Sequence, residues 1–161
     1  MALEAIVAVY ADWGIGLKGT QPVVLRADRR HFREVTGSDA VLVGRKTLAD
    51  FPGGKPLPGR HNIVVTRQTL FVDGAQVVHS TEEALEAATA QRRCLVIGGA
   101  SVYEQFFPWL DKIYVTKIDL APLSDRFFPD LDAAPDWRCA EQGAWQEENG
   151  IRYCFCIYEK C

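Results

Sequence analysis

Asp28 is the residue with the clearest chemical potential in this sequence. At 100° per residue it falls between Leu25, Phe32 and Val35 on the apolar face of an amphipathic helix expected from Leu25 to Thr36, while Arg26, Arg30 and Arg33 point elsewhere. A carboxylate on such a face is costly to bury unless something pairs with it. In an apolar cleft it could accept two hydrogen bonds from an amidine-like edge of a heterocycle, and the same burial would raise its pKa. Helix geometry leaves a second account equally open, in which Asp28 is an acid of the first turn stabilised by the backbone dipole.

Three glycine segments follow strands. Gly14-Ile-Gly16-Leu-Lys-Gly19 has the G-x-G-x-x-G spelling, but Thr20-Gln21-Pro22 comes next and Pro22 turns Gln21 away from helical angles. A dinucleotide fingerprint needs its glycines to open a helix directly, so this segment is a glycine-flexed loop with room to move over a neighbouring site. Val41-Leu-Val-Gly44-Arg45-Lys46-Thr47 and Leu95-Val-Ile-Gly98-Gly99-Ala-Ser101 each leave a strand through glycine into a helix, where exposed amides bind anions. Gly98-Gly99 also permits a close backbone approach that a Cβ would block. Either junction alone reads as an ordinary tight turn; together they gain weight as a phosphate site. Arg67 follows the strand ending at Thr66 and would lie near Arg45 if the two strands are neighbours. The pair could clamp a ribose 2′-phosphate, or both could be solvated surface arginines.

The hydropathy pattern supplies elements to carry these residues. Ala5-Ile-Val-Ala-Val-Tyr10 predicts a buried strand that enters the loop running to about Val24. Strands are expected at Ala40 to Val43, Asn62 to Thr66 and Cys94 to Ile97, and helices at Arg45 to Asp50, Thr81 to Ala90 and Ala100 to Phe107. This alternation implies a mostly parallel sheet covered on both faces. Strand signals at Lys112 to Leu120, Trp137 to Gln142 and Ile151 to Glu159 have no helix between them, which predicts an antiparallel edge. Glu148-Asn149-Gly150 supplies its hairpin turn.

Composition limits the function classes. A chain of 161 residues, 48% hydrophobic and 24% charged, is expected to fold as one domain spanning residues 1–161. A net charge of −3 with scattered arginines lacks the footprint of a nucleic-acid binder. Met1-Ala2-Leu3-Glu4 carries no basic n-region, and the run from Ala5 to Ala11 is far below the ~20 residues of a membrane span, so neither export nor a membrane partner is expected. Cys94, Cys139, Cys154, Cys156 and Cys161 form an odd set without zinc-knuckle spacing. They read as small hydrophobes in a reducing compartment, with neither metal nor disulfide roles.

Several of these segments, in order and spacing, closely resemble the dihydrofolate reductases. They are Ile6-Val-Ala-Val-Tyr-Ala-Asp-Trp-Gly-Ile-Gly16, Leu25-Arg-Ala-Asp28-Arg-Arg-His-Phe32, Val43-Gly-Arg-Lys-Thr47, Leu57-Pro-Gly-Arg60-His-Asn-Ile63 and Val96-Ile-Gly-Gly-Ala-Ser-Val-Tyr-Glu104. Tyr114-Val-Thr116, Phe128-Pro129-Asp130 and Tyr153-Cys-Phe155 extend the likeness over essentially the whole chain.

The resemblance implies a three-layer α/β sandwich with a roughly eight-stranded, mostly parallel sheet, an antiparallel C-terminal strand and about four helices. It implies hydride transfer from NADPH to C6 of 7,8-dihydrofolate, giving tetrahydrofolate for one-carbon metabolism in the cytoplasm. Diaminopyrimidine antifolates would compete for the same site, and the enzyme would be a monomer. Asp28 would hold the pterin, supported by Thr116, with Ile6, Val7 and Ile97 beside it. Phe32, Phe51 and Leu57 would pack on the ring systems, and Arg60 would grip the glutamate α-carboxylate. Ala8, Ile15, Gly16, Gly44, Arg45, Lys46, Thr47, Thr66 and Arg67 would line the cofactor site together with Gly98, Gly99, Ala100, Ser101, Val102 and Tyr103. The Gly98-Gly99 peptide would be cis.

The sequence departs from the family pattern at two positions. Val23 stands after Pro22 where the family has tryptophan, and Arg29 stands where an apolar residue or glutamate is common. Arg29 could contact the substrate's glutamate tail or partly neutralise Asp28. A related reductase of riboflavin synthesis shares the Gly-Gly junction, but its substrate carries a phosphate and no glutamate tail. Asp28 with Leu57-Pro-Gly-Arg60 favours folate. A sensor on the same fold would bind NADPH or pterin without consuming NADPH.

Overall fold

Continuous apolar runs become buried parallel strands in the computed structural model, which describes residues 3–19 and 21–161. Thr20, within the expected loop, and Met1 and Ala2 lie outside the described residues. In chain order the elements are β1 (Leu3–Val9), β2 (Gly14–Gly16), α1 (Arg26–Thr36), β3 (Ala40–Gly44), α2 (Arg45–Ala49), β4 (Asn62–Val65), β5 (Ala75–Val78) and α3 (Thr81–Thr89). They continue with β6 (Cys94–Gly98), α4 (Ala100–Phe106), β7 (Leu110–Ile118), β8 (Arg126–Phe127), β9 (Trp137–Gln142), β10 (Gln146–Glu148) and β11 (Ile151–Lys160). The expected helices and strands all appear, with ends shifted by a residue or two.

The mixed sheet has nine strands among the described residues, against the roughly eight expected. β5 was not anticipated because its four residues alternate in burial without a strong apolar run, and β10 because it is polar. A separate two-stranded sheet pairs β2 with β8. No described helix is long and apolar enough to cross a membrane.

The chain divides into two compact units. One comprises the chain through Ala5 together with Val35–Leu110. Its strands are parallel: β6 pairs with the start of β1 (Ala5 opposite Val96) and with β3 (Ala40 opposite Cys94), β3 pairs with β4, and β4 with β5. Every residue of β3 and β6 is buried, as a strand covered on both faces requires. Ser80 caps α3 by accepting Glu83 N–H at 3.1 Å, while the Glu83 carboxylate reaches back to His79 N–H at 3.0 Å. Arg93 ties this unit together, donating to Glu4, to Asp39 and to the Val35 carbonyl.

The other unit comprises Ile6–Glu34 and Asp111–Cys161, and in it β11 runs antiparallel to each strand it pairs with. β11 pairs with β7, placing Phe155 opposite Thr116, and on its other side with β9 and β10. The β10–β11 turn has both central residues at positive φ, Asn149 at 53° and Gly150 at 80°, the backbone for which Asn-Gly is suited. Tyr10, Leu25, Ile118 and Tyr153 form a buried cluster against which Ala8, Val23, Ala27 and Phe155 pack. On the opposite face of β11 from Phe155, Tyr158 is fully buried and donates its hydroxyl to Asp132 at 2.6 Å.

Candidate functional site

α1 starts where Leu25 is too apolar to remain in solvent: its side chain is buried, and its carbonyl accepts the first helical bond from Arg29 N–H at 3.1 Å. Asp28 follows in the first turn. Its Oδ1 accepts the Thr116 hydroxyl at 2.6 Å, and Thr116 is 1% exposed on β7. The acid therefore sits in the first turn and also reaches a buried hydroxyl of β7. His31, three residues on, stacks on Phe155 with ring centroids 3.9 Å apart and planes 16° apart. Burial raises the Asp28 carboxyl above the ordinary aspartate pKa, and the Thr116 hydroxyl and His31 draw it part way back. Burial likewise lowers the pKa of His31, whose Nε2 has no hydrogen-bond partner among the described residues. Arg29 is exposed.

In the same unit Ile6 and Val7 are buried on β1, whereas Ala8 and Phe32 are half-buried. Ile15 and Gly16 lie on β2, where the Gly16 carbonyl accepts Asp125 N–H at 2.9 Å. The Asp125 carboxylate in turn accepts Lys18 N–H at 3.1 Å, and the Tyr10 hydroxyl oxygen accepts Val23 N–H at 3.3 Å. The loop is thus held at both ends, and Gly14 and Gly16 enter a strand. The G-x-G-x-x-G spelling opens no helix.

In the first unit the two glycine junctions converge. The Gly98-Gly99 peptide is cis, and Gly98 has φ 123°. A Cβ on Gly99 would stand 2.8 Å from Thr47 Oγ1, and one on Gly44 would stand 2.8 Å from Val102 Cγ2. Neither junction has a side-chain cap, so bare backbone edges lie beside a hydroxyl. Gly44 is opposite Val65, which places Arg45 and the Thr66-Arg67 pair at the ends of neighbouring strands. Lys46, Arg67 and Ser101 are exposed, Arg45, Thr47, Thr66 and Ala100 half-buried, and Ile97, Val102 and Tyr103 buried. A Cβ-free cradle flanked by cations and hydroxyls fits a phosphorylated dinucleotide.

Phe51 and Leu57 are half-buried in this unit. Sequence reasoning missed Asn62, which is 1% exposed and clamps the Leu57–Arg60 loop: it accepts Leu57 N–H at 2.9 Å and donates to the Leu57 and Arg60 carbonyls. Thr36 was also missed; its hydroxyl oxygen accepts Arg60 Nε–H at 2.9 Å, while the Pro58 carbonyl accepts Nη1–H. A polar residue opening an apolar strand, as Asn62 does in Asn62-Ile-Val-Val, was the one available signal.

Comparison with known proteins agrees with this geometry. The family model described as dihydrofolate reductase matches residues 2–160. The chain is 37% identical to the dihydrofolate reductase of Bacillus subtilis strain 168 over 161 residues, covering 98% of this chain and 94% of the relative. It is 38% identical over 167 residues to that of Mycobacterium tuberculosis strain CDC 1551 / Oshkosh, with 99% of each covered. Identity to that of Neisseria gonorrhoeae is 34% over 160 residues, with 98% of each covered. The chain belongs to the dihydrofolate reductase family, with that family's NADPH-dependent reduction of dihydrofolate.

Proposed function

We propose that Asp28 anchors and polarises the pterin of dihydrofolate, and that the observation carrying this role is a half-buried carboxyl on α1 with one oxygen committed to Thr116 of β7. The remaining carboxylate oxygen capacity suits the N3 and 2-amino edge of the heterocycle. Bound NADPH supplies the hydride that reaches C6. The enclosed anion raises the affinity of N5 for the proton it takes from water, and no side chain need act as a nucleophile. Thr116 holds the carboxylate in orientation, and the Gly14 to Val24 loop excludes bulk water. Ile6, Val7 and Ile97 flank the pterin in this assignment, and Phe32, Phe51 and Leu57 pack on the rings.

Arg60, steadied by Thr36 and the Asn62-clamped loop, would pair with the glutamate α-carboxylate, and Arg29 with the more distal carboxylate. Arg45, Lys46, Thr47, Thr66 and Arg67 would hold the cofactor phosphates. Gly98, Gly99, Ala100 and Ser101 would hold the pyrophosphate, while Gly44, Val102 and Tyr103 shape that turn and Ala8, Ile15 and Gly16 meet the nicotinamide side.

Diaminopyrimidine antifolates present the same amidine edge as a stronger base, so they would pair with Asp28 by charge-assisted hydrogen bonds. The match over residues 2–160 supports one functional domain over 1–161. Free cysteines support a reducing, cytoplasmic setting. The enzyme would act as a monomer.

Asp28→Asn tests the assignment. Turnover at neutral pH falls by orders of magnitude with NADPH affinity little changed; unchanged turnover rejects the role.

A further inference from the structure

The start of α1 is completed by a residue 122 positions away. Leu25 offers the first accepting carbonyl but no side-chain acceptor, so the N–H groups of Arg26 and Ala27 have no partner within the helix. Both are taken by Glu148: Oε2 accepts Arg26 N–H at 2.7 Å and Oε1 accepts Ala27 N–H at 3.0 Å. These two amides lower the Glu148 pKa, assisted by the Arg26 and Arg30 guanidiniums, so it is anionic throughout the neutral range.

Glu148 is itself fixed by its place in the fold. It ends β10 opposite Ile151, immediately before the Asn149-Gly150 turn. β11 then carries Phe155 against His31. The hairpin therefore holds α1 at its N-terminus and again at His31. Asp28 lies between those two points, one residue after Ala27 and three before His31.

We propose that Glu148 is a positioning residue for the reduction, its two carboxylate oxygens setting the first turn of the helix that presents Asp28. The inference rests on the reading of Asp28 as the pterin anchor. A reacting ring held by one carboxylate is sensitive to small displacements of the backbone that carries it. An ordinary cap would stabilise the helix alone; this one acts one residue from the anchor.

The test compares Glu148→Ala, Glu148→Gln, Arg26→Pro and the Arg26→Pro/Glu148→Ala double variant with Asp28→Asn run in parallel. The readouts are the single-turnover rate of NADPH oxidation, KM for dihydrofolate and Kd for NADPH. The single-turnover rate constant reports the folded enzyme whatever fraction is folded. Glu148→Ala is expected to lower it about tenfold and to raise KM about fivefold, with NADPH Kd unchanged. Glu148→Gln keeps one acceptor and falls in between; it carries the ranking if the alanine variant does not fold.

Proline at position 26 needs no acceptor and suits the first helical position, so the alanine penalty shrinks in that background. Wild-type single-turnover rate and KM in Glu148→Ala, with only Tm reduced, overturn the proposal, as does strict additivity in the cycle. If Asp28→Asn collapses turnover while Glu148→Ala is kinetically silent, only the Glu148 role is lost. If Asp28→Asn leaves turnover intact, the Asp28 assignment falls first.

Discussion

Thr116 engages one of the two carboxylate oxygens of Asp28, Oδ1, and no side chain or amide among the described residues bonds the other. The acid is thus steadied on one side only, which leaves its other oxygen for the pterin in the proposed role. Replacing Thr116 by valine keeps the shape and removes the donor. Because that donor favours the charged carboxylate, the pKa that Asp28 imposes on the pH–rate profile should move upward in Thr116→Val. kcat/KM at neutral pH should fall roughly tenfold, the weight of one charge-assisted hydrogen bond of about 1.5 kcal/mol. A profile superimposable on that of the wild type would separate Thr116 from the acid.

Asp28 also carries a stability penalty whose sign follows from its raised pKa. The folded chain binds this proton more tightly than the unfolded chain, so stability is fullest below the unfolded pKa and declines as pH rises through the folded one. Once the pH lies above the folded pKa the penalty is complete. Asp28→Asn, neutral at every pH, should therefore melt higher than wild type at pH 7, and the gap should close as pH falls below the ordinary aspartate range. Thermal melts across pH 3 to 8 check this; a gap that widens towards acid would contradict it.

Asn62 should matter beyond the sheet it opens. Truncation to alanine leaves the Leu57 N–H and the Leu57 and Arg60 carbonyls without their partner, costing about 2–3 kcal/mol in denaturant unfolding. The loosened loop should raise KM for dihydrofolate while leaving KM for a dihydropterin without a glutamate tail unchanged. Equal increases for both substrates would detach Arg60 from the tail.

Thiol reactivity should divide by burial. Cys139 and Cys161 are exposed, whereas Cys94, Cys154 and Cys156 are at most 1% exposed. Burial pushes the Cys94 and Cys156 thiols up to about 12, far from the thiolate that alkylation needs. Iodoacetamide at pH 8 followed by mass spectrometry should label two cysteines in the folded protein and all five in urea.

Features written as local patterns were legible in the sequence. The unbroken apolar runs of β3 and β6 announced strands covered on both faces, and the helical period placed Asp28 inward. Doubled glycine marked the turn at Gly98-Gly99. Features created by tertiary pairing were not legible. β8 is two exposed residues, and β10 is Gln-Glu-Glu, which has no hydrophobic signal to detect. Thr36 and Glu148 are ordinary polar residues until the fold brings Arg60 to one and two helix amides to the other. His31 gives no signal in the sequence, because its stacking partner lies on the last strand.

That last strand bears on how the enzyme comes into being. Asp28 precedes in the chain, by 88 to 127 residues, the groups around it: Thr116, Glu148 and Phe155 are all translated after it. A chain lacking the β10–β11 hairpin would carry Asp28 on an unfinished helix, so its surroundings are complete only once that hairpin has been made.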